Sequence, residues 1–346
     1  MDKIKVFWDW FEKNHESYNS FNKKYTFNIE EAEELLALLT KSLHEYSKGL
    51  FVEISGDDAK QEMIITAQGN KEFFADALEL VQNAPIIGSW NFIATKPAIG
   101  LDFNFKMAGV TMNPDEILFM PLEADEYPDD IAIRLYHKEY TTEEGAIRNA
   151  VIVGLYAALN MCLGETATTL DLQYIDFDDM PHPKEQTFPF SELKAYIEYK
   201  KGKRANSGEE FPNEDIKLSE GKVEEKPKLL VLNQALKNYE FTQKFPYLLD
   251  MTLTLKNIGD NGLSTGNTDE IYKIEDVIYQ EISKKKKGHF IATETYNGKR
   301  KLFYYAESKE LLEDTLALLE SEYETCTVNS TIEFDPFWVL CEQYLV

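Results

Sequence analysis

The feature that most constrains this chain is a repeat. Lys48-Gly49-Leu50-Phe51 returns 239 residues later as Lys287-Gly288-His289-Phe290, and Ala67 matches Ala306 at the same offset. After a one-residue deletion, Lys71-Glu72, Asp76, Leu78 and Leu80 stand opposite Lys309-Glu310, Asp314, Leu316 and Leu318. Register is kept as well as composition, so the two segments predict one supersecondary unit used twice. Each copy reads helix, strand, strand, helix, strand.

The second copy is the clearer. Thr268 is placed to cap a helix from Asp269 to Lys284, with Ile271, Ile274, Ile278 and Ile282 on one face. The segments 289–295 and 301–305 flank Tyr296-Asn297-Gly298-Lys299, and Asn-Gly favours the tight turn that joins two antiparallel strands. Ser308 caps a helix facing inward through Leu311, Leu312, Leu316 and Leu319, and 326–333 supplies a closing strand. With an alternating strand at 249–256 in front, the order is β-α-β-β-α-β, the split βαβ pattern of ferredoxin-like domains.

The first copy matches element for element. Asn28 with Glu31 predicts a capping box for a helix through Tyr46, 50–55 and 62–67 form a hairpin around Gly56-Asp57-Asp58, and Asn70 caps a helix at 71–82 before a strand at 90–95. Tyr25-Thr26-Phe27 is the candidate first strand. An aromatic amphipathic helix with Val6, Phe7, Trp10 and Phe11 precedes it.

Between the copies lies a unit of different order. Strands at 117–123 and 131–137 flank Glu126-Tyr127-Pro128-Asp129, and Thr141 with Glu144 predicts a capping box for a long helix ending at Gly164, striped by Ile147, Val151, Leu155, Leu159 and Leu163. A strand at 172–177 and a helix at 191–200 follow. The stretch 202–228 is charged in both signs and poor in apolar residues, which predicts a solvated linker or loop. The chain therefore divides into 1–100 (first ferredoxin-like copy), 101–201 (an acidic α+β unit), 202–227 (linker or loop) and 228–346 (second copy), an α+β protein throughout. Its 346 residues suit such a division, and 43% apolar content can fill the cores.

Charge narrows the function. The net charge of −25 opposes nucleic acid, whose phosphates demand Lys and Arg, and opposes anionic lipid. Between Asp115 and Glu185 there are 16 acidic and four basic side chains, a net −12, so nearly half the excess sits in the middle unit. Such a face can steer a basic protein partner. The opposite sign gathers at Lys284-Lys285-Lys286-Lys287, where a helix C-terminus favours cations. No apolar run reaches the length of a membrane span, and Cys162, Cys326 and Cys341 lack any CxxC spacing, so reduced thiols and a cytoplasmic location are expected.

Catalytic signatures are sparse. No GxxxxGK[ST], GxGxxG, GxSxG or HExxH occurs, and Gly259-Asp260-Asn261-Gly262 reads as a plain loop. His289 and Cys326 each open a strand, and only tertiary proximity could make them a nucleophilic pair. The metal candidate is Asp176-Phe177-Asp178-Asp179-Met180-Pro181-His182. Strand alternation puts Asp176 and Asp178 on one face, and His182 can fold back after the proline. No cofactor is implied.

Several C-terminal residues together resemble a bacterial family, the domain of unknown function 695. They are Asn261-Gly262-Leu263, Ile271 with Ile274-Glu275-Asp276, Gly298-Lys299-Arg300, Tyr304-Tyr305, Asp335-Pro336, Trp338 and Tyr344-Leu345. The resemblance covers about residues 228–346. Members usually carry a proline soon after the Gly-Leu, where this chain has Ser264-Thr265-Gly266. The pattern is also similar to the B-type regulator of ribonuclease E activity, which implies a ferredoxin-like fold and inhibition by protein binding. The family implies no catalytic residues.

These readings combine into a non-enzymatic regulator or immunity-type inhibitor. It would meet a basic protein through Glu123, Asp125, Glu126, Asp129 and Asp130, with Trp338 as a further anchor. The alternative is a metal-dependent enzyme built on Asp176, Asp178 and His182.

Overall fold

The computed structural model describes residues 2–19, 21, 25–26, 28–56, 60–88, 90–182, 184–204 and 206–345. The chain is a mixed α+β protein of two compact units, Met1–Lys203 and Arg204–Val346.

Unit 1 opens with α1 (Lys3–Asn14), capped by Asp2, which accepts from the amides of Ile4 and Lys5. The spacing of Phe7, Trp8 and Phe11 buries one face of α1, where Trp8 and Phe11 meet Phe92 edge-on. The next helix, α2 (Ile29–Tyr46), turns Ala32, Leu39 and Leu43 inward. Asn28 does not cap it, for its side-chain amide donates to Glu31 instead. The expected first strand is not found among the described residues. Tyr25 and Thr26 are helical, and Phe27 lies outside the described residues.

Then come β1 (Phe51–Gly56), β2 (Gln61–Thr66), α3 (Phe74–Gln82) and β3 (Trp90–Ala94). The hairpin residues Asp57 and Asp58 lie outside the described residues. Asn70 accepts from the Glu72 amide and opens a 3-10 turn that leads into α3. β1 pairs antiparallel with β2, and β2 pairs in parallel with β3.

The middle of unit 1 carries a short hairpin, β4 (Phe105–Met107) with β5 (Val110–Met112), and a four-stranded sheet. That sheet is built from β6 (Leu118–Leu122), β7 (Ala132–Tyr136), then α4 (Ala146–Leu163) and α5 (Glu165–Leu170), then β8 (Tyr174–Asp178) and β9 (Phe188–Pro189), before α6 (Leu193–Lys201). Its order is β8-β7-β6-β9, with β7 and β8 parallel. By length and composition α4 could cross a membrane, but Val151, Leu155 and Leu159 pack on the sheet core. The expected capping box fails there. Thr141 accepts from the Glu143 amide, and the helix starts later, at Ala146. Ile147, placed in the buried stripe by spacing, is 59% exposed.

Unit 2 is one antiparallel sheet in the order β10-β11-β13-β14-β12-β15. In chain order these are β10 (Ile216–Val223), β11 (Lys226–Asn233), β12 (Tyr247–Leu255), α7 (Asp269–Tyr279), β13 (Gly288–Tyr296), β14 (Lys299–Ala306), α8 (Lys309–Ala317) and β15 (Cys326–Phe334). The isoleucine stripe of α7 continues through a π-turn at Gln280–Lys284, and Ser308 caps α8 by accepting from the Leu311 amide. Thr268 precedes α7 without making a side-chain cap. The helices cover one sheet face over Leu249, Met251 and Leu302, while the C-terminal turn Val339–Tyr344 covers the other over Leu248, Phe303 and Tyr305.

The expected linker at 202–228 is corrected by β10 and the start of β11. All eight residues of β10 are exposed, which is why its composition resembles a linker. Its ladder to β11 supplies the order that burial does not.

Candidate functional site

The carboxylates singled out for metal lie where alternation put them, but a cation is already among them. β7 and β8 run in parallel with Arg134 opposite Asp176. Arg134 Nε donates to Asp176 Oδ2 at 2.8 Å, and its Nη1 lies 3.8 Å from Asp178 and 3.6 Å from Glu185. Glu185 also accepts from the His182 amide at 2.6 Å and from the Tyr136 hydroxyl at 2.9 Å. These two bonds, the amide first, hold its carboxyl below the usual range. His182 thus contributes backbone to Glu185 and does not join Asp176 and Asp178 as a ligand set. Among the described residues no group of three His, Cys, Asp or Glu could hold a metal ion. Opposite charges at matching positions of neighbouring strands were the sequence signal for Arg134, readable only once the pairing is known.

A second carboxylate is spent on architecture. Glu165 is fully buried and accepts from Thr66 Oγ1 (2.7 Å), the Gly69 amide (2.8 Å) and the Lys96 amide (2.8 Å). Three donors satisfy the charge and tie α5 to the first copy. Its burial left no mark in composition or spacing.

Trp338 is the clearest correction. It is 1% exposed, stacks on Tyr305 at 4.4 Å and Tyr239 at 5.0 Å, and donates from Nε1 to the Phe245 carbonyl at 2.9 Å. A side chain so enclosed is a core anchor and not an interface anchor. Tyr305 donates to Asp335, whose carboxylate also accepts from the Val339 and Leu340 amides and so fixes the turn carrying Trp338.

His289 sits in the same aromatic core, 2.9 Å from the Tyr239 hydroxyl, which donates onward to the Glu210 carbonyl. Burial pushes its imidazole down to about 4. Cys326 belongs to the helix-covered core, so the two do not form a nucleophilic pair.

The remaining expected site residues share one connection. Between β6 and β7, Glu123, Asp125 and Glu126 are exposed and Asp129 and Asp130 half-buried, with Tyr127 57% exposed beside them. Elsewhere in the middle unit several acids are engaged, Asp171 with Lys201, Glu116 with Lys138, and Asp176 with Arg134, while Glu139, Glu143, Glu144 and Asp179 are exposed.

Several residues that carried the family resemblance are bound within unit 2, some of them to one another. Arg300 holds Glu275 with two hydrogen bonds, Tyr344 donates to Glu294, and the Gly298 amide donates to the Gly262 carbonyl at 2.7 Å. Together with Tyr305, Asp335 and Trp338 they lock strands, helix and tail of unit 2. Residues 217–346 match the family described as a family of unknown function, DUF695. No curated protein and no solved structure matches the chain. The DUF695 segment begins inside β10, so the hairpin the sequence concealed falls within it.

Proposed function

We propose that the chain is a protein-binding regulator or inhibitor-type module, resident in the cytoplasm, that engages a basic protein through the β6–β7 connection. One observation carries the reading: Glu123, Asp125 and Glu126 are exposed together on one short connection, while Asp176, Asp171 and Glu116 of the same unit each meet a basic side chain. A compact, outward set of carboxylates accelerates encounter with a cationic face and sets its orientation. The β-α-β-β-α-β order of unit 2, with strands arranged β13-β14-β12-β15, supports reading the DUF695 segment as a ferredoxin-like module bearing an extra hairpin. The first copy is the same unit without its opening strand. Three buried, unpaired cysteines favour a reducing compartment.

The test is co-purification of a partner at about 50 mM and about 500 mM salt, repeated with Glu123→Lys, Asp125→Lys and Glu126→Lys combined. The expected result is capture that falls steeply with salt and is lost in the triple variant. Capture indifferent to both would refute the reading.

A further inference from the structure

The two copies treat one sheet edge differently. In unit 2 the outer edge of β13 is covered by β11, with Leu232 opposite Ala292, Val231 opposite Thr293 and Leu230 opposite Glu294. Val231 packs on the helix-side core, and Glu214, just before β10, accepts from Tyr279 on the flank of α7. At the offset of 239, β1 corresponds to β13, Glu53 to Ala292, Ile54 to Thr293 and Thr40 to Tyr279. Yet the sheet of the first copy stops at β1: among the described residues no strand pairs with the outer edge of Phe51–Ser55. No residue of β1 is buried, whereas seven of the nine in β13 are. Where Tyr279 meets the hairpin in unit 2, α2 instead presents an open groove with Leu36, Ala37, Thr40 and His44 on its wall.

We propose that the outer edge of β1 and the adjoining flank of α2 form a docking site for an extended segment of another protein, which adds as an antiparallel strand. The copy that fills this place with its own chain shows the mode: main-chain hydrogen bonds supply affinity and alternate side chains supply selectivity. Val52 and Ile54 share a face with the buried Met63 and Ile65, so segment residues opposite them point toward α2 and are apolar. Residues one step along face Glu53, whose side chain is 48% exposed and pairs through Oε1 with Lys96 Nζ at 2.5 Å, leaving its other oxygen to a second cation. Glu53 is the only charged side chain of β1, so a cation is favoured in this second set, while on the α2 side the groove wall carries Glu33 and Glu45 together with Lys41. The site therefore takes a strand alternating aliphatic and cationic residues. It does not depend on the acidic connection between β6 and β7.

The probe is a fluorescein-labelled peptide of sequence Lys-Leu-Lys-Val-Lys-Leu-Lys, titrated against the full chain by anisotropy. Its twin is N-methylated at alternate residues, which removes strand donors and leaves charge and apolar content. Saturable binding is expected, weakened at least about tenfold by N-methylation and to a similar degree by Ala37→Arg with Thr40→Arg. Both replaced side chains are on the outer flank of α2, and thermal melting checks that the double variant folds. The triple lysine variant at 123, 125 and 126 is expected to bind the peptide within about twofold of the parent, since rim charges away from a site change affinity little. Absence of saturation at about 1 mM, equal affinity for the N-methylated twin, or loss in the triple variant with retention in the groove variant would each overturn the assignment.

Discussion

The first and second copies share helix, strand, strand, helix and strand, yet their sheets close differently. In the second, β12 lies between β14 and β15, and the hairpin β10–β11 covers the far edge. In the first, no counterpart of β12 is found among the described residues, and β3 pairs directly and in parallel with β2. In the second copy β14 and β15, the two strands flanking β12, already point the same way as one another, with β12 antiparallel to both. Removing the central strand therefore lets its neighbours meet as a parallel pair. A repeat unit thus tolerates loss of a strand when an adjacent element seals the opened face. Here α1 does so, through Trp8 and Phe11 on Phe92. On the outer side of β1 no strand is paired among the described residues, and an unpaired edge is a template for strand addition.

The largest asymmetry should be seen at Trp338. Trp338→Ala is expected to cost unit 2 about 3–5 kcal/mol, because it empties a stacked, fully buried site and strands the Phe245 carbonyl. Urea unfolding should show the transition of unit 2 moving while that of unit 1 stays. Equal movement of both would break the view that the copies hold independent cores.

Next in size is pH. His289 occupies the position of Leu50 in the first copy, which is fully buried and does not titrate. The imidazole falls from an ordinary 6.5 to about 4 in the folded chain, so the unfolded chain binds more protons between those values. The stability that neutral His289 contributes to unit 2 is complete above about pH 6.5 and is lost as pH drops toward 4, by on the order of 3 kcal/mol. His289→Leu is expected to flatten this part of the stability–pH curve, measured by urea titration at successive pH values. A curve unchanged by the replacement would contradict the assignment.

The smallest effect separates the two glycines. A Cβ on Gly288 would stand 2.1 Å from the Tyr305 carbonyl oxygen, a main-chain atom held in the sheet, whereas one on Gly49 would meet the Phe73 ring. Phe73 is half-buried, and a side chain can change rotamer where a sheet carbonyl cannot move. Gly288→Ala is expected to cost about 2 kcal/mol and Gly49→Ala less than about 1 kcal/mol. Thermal melts that reverse the order would show that the shared glycine is not used alike.

These contrasts also show what the residues disclosed. Local signals were readable: the isoleucine stripe of α7, the Asn297-Gly298 turn and the Ser308 cap all act through neighbours in sequence. Strand β10 was hidden because an exposed edge strand carries the charge of a linker. The placement of Arg134 among Asp176, Asp178 and Glu185 depends on strand pairing across 42 residues. Burial of Glu165 and Trp338 likewise arises from distant partners. The acids at 123–130 were visible as composition, and the structure added which of their neighbours are neutralised.

Amide hydrogen exchange across β1 and β13 tests the difference between the copies most directly. With both flanks paired, amides throughout 292–296 are expected to exchange slowly. With one flank open, alternate amides in 51–55 are expected to exchange far faster than their neighbours, and to slow when the alternating Leu-Lys peptide is added. Uniform protection along both strands without a ligand would contradict the account.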